Sequence, residues 1–157
     1  MANLAQDDRN DTLRVVGYEV WMLNVALQHL AWAQAHGCEE LKNLALECFA
    51  LHARTLYDFF FCKSKKKDYL RVQDLLGETE SLGKPSKFCE HMAKMNNQLA
   101  HITRERLGYN RDPNRKEWRL DGILDNLRNA VSRFKELAIV QNLDVDSIPD
   151  VVDRIGG

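Results

Sequence analysis

Apolar residues recur along most of this chain at three- and four-residue intervals, the period of a helix with one buried face. Val16, Val20, Leu23, Leu27 and Leu30 form the first such stripe, with Trp21 and Trp32 beside it, and the spacing predicts a helix over 12–35. Asp11 or Thr12 suits its N-cap, and Gly37 suits its end. A second helix is expected over 39–62. The connection is so short that the two must be antiparallel neighbours. A third is expected over 85–107, with Pro85 in its first turn, and a fourth over 116–141. A short helix fits 69–76. No stretch alternates with period two, and no internal repeat is visible. The expected fold is all-α: an antiparallel bundle of four main helices, a short extra helix and a C-terminal tail. The 157 residues form one domain, with a polar N-terminal arm over 1–11, a core over 12–141 and a tail over 142–157. The tail either adds one more turn or straps across the bundle.

The second helix is apolar nearly all the way round: residues 44–61 read LALECFALHARTLYDFFF. Such a helix is buried on several sides, so it is expected at the centre or in a subunit interface. Its polar residues then need reasons. His52 falls within the stripe Leu41, Cys48, Thr55 and Phe59. Glu47, Arg54 and Asp58 make a separate line, with Arg54 and Asp58 four apart and able to pair. One reading is a structural histidine plus a buried ion pair. The other puts Arg54 in a cleft as an anion ligand, since a guanidinium among aromatics must be satisfied by something.

Composition narrows the function classes. The net charge is −1, from 22 basic and 23 acidic residues, so any attraction to nucleic acid must come from a local patch. Cys38, Cys48, Cys62 and Cys89 are scattered without CxxC spacing and read as reduced thiols rather than zinc ligands. No apolar run is long enough to span a membrane, and the opening MANLAQDDRNDT is polar and acidic, unlike a secretory signal. The expected location is the cytoplasm. GxGxxG, P-loop, HExxH and GxSxG motifs are absent, as are the paired Glu-x-x-His motifs of di-iron bundles. No metal and no cofactor is expected.

The third helix carries the candidate chemistry. Phe88, Met92, Met95, Leu99 and Ile102 share one face. Glu90, Lys94, Asn97, His101 and Arg104 share the opposite one, flanked by Ala93 and Ala100. A solvated surface explains that face. So does phosphate chemistry: an imidazole can move a proton near neutral pH, and a guanidinium or ammonium can hold and stabilise a phosphate. The same parts serve metal-free RNA cleavage or simple phosphate binding. Two basic stretches could assist. Lys63, Lys65, Lys66 and Lys67 follow the second helix, where cations also complement the helix dipole. The arginine-rich segment 101–119 offers Tyr109 and Trp118 for base stacking, with ordinary solvation as the alternative.

An all-α bundle whose third long helix bears this segment resembles the HEPN superfamily (higher eukaryotes and prokaryotes nucleotide-binding). The family signature is R-x4-6-H, often R-N-x-x-x-H. The matching segment here is Asn96-Asn97-Gln98-Leu99-Ala100-His101. Asn97 and His101 match, while Asn96 stands where the arginine would be. LHARTLYDFFF on the preceding helix also resembles uncharacterised HEPN-like bacterial proteins, and the likeness spans residues 12–140. The resemblance implies a homodimer with the motif helices lining a cleft between subunits. It also implies an RNA or nucleotide ligand and, in toxin–antitoxin or defence settings, an antitoxin-type protein partner. The site it implies has His101 as general acid or base, Arg104 or Lys94 on the phosphate, Asn97 orienting the imidazole, and Arg54, Asn96 and Arg106 as further phosphate contacts. Lys94 gives K-x6-H, but a lysine is a point charge and lacks the arginine fork. A degenerate, non-cleaving site is therefore expected. The alternatives are a metal-independent endoribonuclease and a purely structural interaction module.

Overall fold

The structure, a computed structural model, describes residues 4–62, 70–77, 82, 85, 87–95 and 120–152, without the side chains of 88, 89, 94 and 95. Five helices and no strand occur among the described residues. They are α1 (Gln6–His36), α2 (Glu39–Phe61), α3 (Val72–Leu76), α4 (Phe88–Met95) and α5 (Leu120–Val140). None is long and apolar enough to cross a membrane.

α1 and α2 form the expected antiparallel hairpin. Gly37 closes α1 in the left-handed region (φ 65°, ψ 27°), and its N–H returns to the Ala33 carbonyl. The start of α1 corrects the expectation. It begins at Gln6, not Thr12, so most of the supposed polar arm over 1–11 is helix. Asp7 and Asp8 sit in the first turn, where carboxylates complement the helix dipole. Arg9 donates to the Leu75 carbonyl at 2.6 Å, and Leu4 packs on the core. Thr12, far from capping, is buried within the helix and donates to the Asp8 carbonyl at 2.6 Å.

α2 is central, one of the two places its all-round apolar character allows: it packs on each of the other four described helices. Phe49, Leu56, Tyr57 and Phe60 are almost fully buried. Phe59 and Phe60 meet Phe134 of α5 with ring centroids 5.8 and 5.6 Å apart, the tilted and edge-on arrangements that aromatic quadrupoles favour. α5 answers with Ile123, Leu124, Leu127, Val131 and Phe134 along one face. Trp21 and Trp32, by contrast, are half exposed.

The short helix α3 has a local cause. The Arg71 N–H donates to Asp74 Oδ2 at 2.9 Å, and the Arg71 guanidinium donates to Oδ1 at 2.9 Å. These bonds hold the Asp74 carboxyl below its ordinary range.

The tail is a strap. Two residues past the end of α5, Asn142 adopts φ 58°, and the Leu143 N–H returns to the Ala138 carbonyl at 3.0 Å. Leu143, Val145, Ile148 and Val151 are then buried against the helices. Asn24 of α1 grips the strap twice: Nδ2 donates to the Asp150 carbonyl (2.8 Å), and Oδ1 accepts from the Val152 N–H (3.1 Å). Lys135 of α5 donates to the Ile148 carbonyl at 3.1 Å and to Asp150 Oδ1 at 2.7 Å. Gly17 makes the close approach possible, since a Cβ there would lie 2.7 Å from the Ser147 carbonyl oxygen.

Candidate functional site

His101, Asn97, Asn96, Arg104 and Arg106 lie outside the described residues, as do Lys63, Lys65, Lys66 and Lys67. Lys94 belongs to α4, but its side chain is not among those described. What is described of α4 is the rotation of its beginning. His91 is buried at 7% exposure and Met92 is half-buried, while Glu90 and Ala93 are exposed. The face that carries Glu90 therefore points away from the core.

A histidine holds that rotation. His91 Nδ1 lies 3.3 Å from the Tyr57 hydroxyl of α2, with the rings edge to face at 6.4 Å. The same hydroxyl oxygen accepts from Asn126 Nδ2 of α5 at 3.0 Å. The Tyr57 hydroxyl stands between the imidazole of α4 and the amide of α5. One phenol thus ties three helices together. Burial pushes its pKa above the ordinary tyrosine value, against the pull of the Asn126 hydrogen bond. The sequence carried a signal for His91, because 88, 91, 92 and 95 are the spacing of a buried helical seam.

His52 is structural, and its partner comes from α1. His52 Nδ1 lies 2.7 Å from Glu19 Oε2, and both side chains are largely buried. Tyr18 packs edge-on to the imidazole with centroids 6.1 Å apart. Burial, with Glu19 adding to it, pushes the Cys48 thiol up, away from reactive thiolate character.

Arg54 does face a cleft, one of about 730 Å³ along the α1–α2 hairpin. Val16, Leu56 and Phe59 form its buried floor, and Val15, Leu51 and Leu70 rise around it as exposed apolar walls. Asp8, Asp11 and Glu19 of α1 and Asp58 of α2 also line it. Among the described lining residues, four carboxylates thus face the single guanidinium of Arg54. The expected Arg54–Asp58 pair forms, but at 3.9 Å and with side chains 41% and 28% exposed, so it is a screened surface pair and not a buried one. Arg54 and Asp58 thus open into the cleft, while Glu47 of the same line is exposed outside it. Burial raises the Asp58 pKa, and the nearby Arg54 opposes the rise. No group of three His, Cys, Asp or Glu side chains among the described residues is placed to hold a metal ion.

No family model, no curated protein and no solved structure matches this chain.

Proposed function

We propose that the chain is a self-associating, HEPN-like helical bundle that holds the phosphate of a nucleotide or RNA and does not cleave it. The site is the polar face that begins at Glu90, with His101 and Arg104 central and Asn97 orienting the imidazole. The rotation of α4 supports this reading. His91 and Met92 turn inward and Glu90 outward, and Asn97 and Arg104 follow Glu90 at seven-residue steps in the sequence. Asn96 in place of the motif arginine removes the bidentate phosphate donor, which is why cleavage is left out. Arg54 is left out of the site as well, because it shares its cleft with four carboxylates.

The test is RNA binding followed by fluorescence anisotropy, in EDTA and over a salt series. Wild type should bind single-stranded RNA more weakly as salt rises. His101→Ala and Arg104→Ala should each weaken binding about fivefold or more at low salt, with unchanged melting temperatures. Unaltered binding in both variants sinks the reading. RNA cleavage by wild type that is lost in His101→Ala would replace it with the endoribonuclease.

Self-association has its own support at the turn end of the hairpin. Trp32 and Leu41 line a shallow pocket there with Gln28 and His29, and Leu44 is exposed at 64% near the same turn. Leu44→Asp should convert a dimer into a folded monomer in sedimentation velocity. An unchanged oligomer would place the contact elsewhere.

A further inference from the structure

We propose that the cleft along the α1–α2 hairpin binds a small amphipathic organic cation, an amine or quaternary ammonium with an apolar body. The inference is independent of the phosphate face, and the cleft lies at the open end of the hairpin, away from Leu44.

The volume, about 730 Å³, is that of a small-molecule site. Its chemistry is split between an apolar base and an acidic rim. Val16, Leu56 and Phe59 offer a dry floor, and Val15 and Leu51 remain 57% and 61% exposed, apolar surface that a ligand body would cover. Among its described residues the rim holds Asp8, Asp11, Glu19 and Asp58 around Arg54; Asp11 is also paired with exposed Arg14 at 3.1 Å and Glu19 with His52, so the balance stays negative chiefly through Asp8. An anion would face carboxylates in excess of guanidinium among the described residues, and Arg54 already has Asp58 beside it.

A metal ion fits no better. The carboxylates are spread around the opening and do not converge, and no three such ligands meet. A small, strongly hydrated cation needs converging oxygens. A bulky, weakly hydrated organic cation needs only a negative field above an apolar surface, and this cleft has that arrangement. Glu19 is pinned by His52 at 2.7 Å, so its position on the rim is fixed before any ligand arrives.

The experiment is calorimetric titration of the full chain at low salt with octyltrimethylammonium below its micelle concentration. Octyl sulfate and octanol serve as probes with the same chain. The cation should bind at one site, and octyl sulfate at least about tenfold more weakly. Octanol, with no charge to use, should also bind more weakly than the cation. Asp58→Asn should weaken the cation about threefold while leaving octanol unchanged. Leu51→Ser should weaken the cation and octanol alike, by about fivefold. Both variants should fold: Leu51 is exposed, and Asp58 ionises against its own burial. Melting temperatures check this. Equal binding of octyl sulfate and the cation would overturn the proposal, as would no detectable binding of the cation or indifference to both substitutions.

Discussion

Asn24→Ala should detach the C-terminal strap and lower stability by about 2–4 kcal/mol, the loss of two hydrogen bonds and of the partner for two backbone groups. For a chain of this length that is a fall of roughly 5–15 °C in melting temperature. Asn24 is only 8% exposed, and its amide is the group on α1 that both accepts from and donates to the strap. The strap's own hydrophobic side chains, Val145, Ile148 and Val151, lose their cover against the helices once the strap lifts. Gly17→Ala provides an independent lever on the same contact. Alanine is the better helix former by up to about 1 kcal/mol. Yet the new Cβ would stand 2.7 Å from the Ser147 carbonyl oxygen, backbone against backbone, with no flexible side chain to give way. Overpacking of this kind costs about 1–3 kcal/mol, so the substitution should destabilise on balance. If the strap docks as a unit, the double variant should lose less than the sum of the single losses, because a detached strap cannot be detached again. Urea denaturation of the four proteins measures this. Strict additivity would show that the two contacts hold separate pieces of chain.

Much of this architecture was legible because it depends on local period and local stop signals. The all-round apolar run of α2 pointed to a central helix or a subunit interface, and Gly37 suited a left-handed end. The start of α1 was not legible. Residues 6–11, QDDRND, carry no apolar period, and the helix extends through them with tertiary support: Arg9 reaches the Leu75 carbonyl, and Leu4 finds the core. The Glu19–His52 pair illustrates the same limit. A wheel can place His52 on a stripe of α2 but says nothing about which residue of α1 faces it. The Arg54–Asp58 pair shows the reverse failing, since its four-residue spacing was plain while its burial was not. Burial is decided by what packs opposite, and here the opposite side is a cleft. Of the proposed phosphate face, the described residues reach only as far as α4, where Glu90 turns outward and His91 inward.

Tyr57→Phe should cost about 1–3 kcal/mol at neutral pH, although it removes one oxygen and leaves the ring in place. That oxygen accepts from Asn126 and faces His91, so its loss breaks a link among α2, α4 and α5 at a position with no exposure to water. The pH dependence separates this cause from a simple packing defect. Burial raises the Tyr57 pKa above its ordinary value of about 10, so the folded chain keeps the phenol protonated where the unfolded chain would begin to ionise it. The resulting stability is fully present below the unfolded pKa and is lost as pH rises through the folded one. Wild type should therefore lose stability faster than Tyr57→Phe above about pH 10, and the gap between them should narrow. A gap that stays constant from neutral to alkaline pH would show that the hydroxyl contributes nothing through its protonation state. The effect should also be local. Hydrogen exchange in α4 should quicken more than in α1, because α4 loses one of its ties to α2 while α1 keeps its long seam with that helix. Since α4 begins the proposed phosphate face, RNA affinity should fall in Tyr57→Phe without any change in the residues proposed to touch phosphate. Unchanged affinity together with faster exchange in α4 would mean that the phosphate face does not depend on how that helix is anchored.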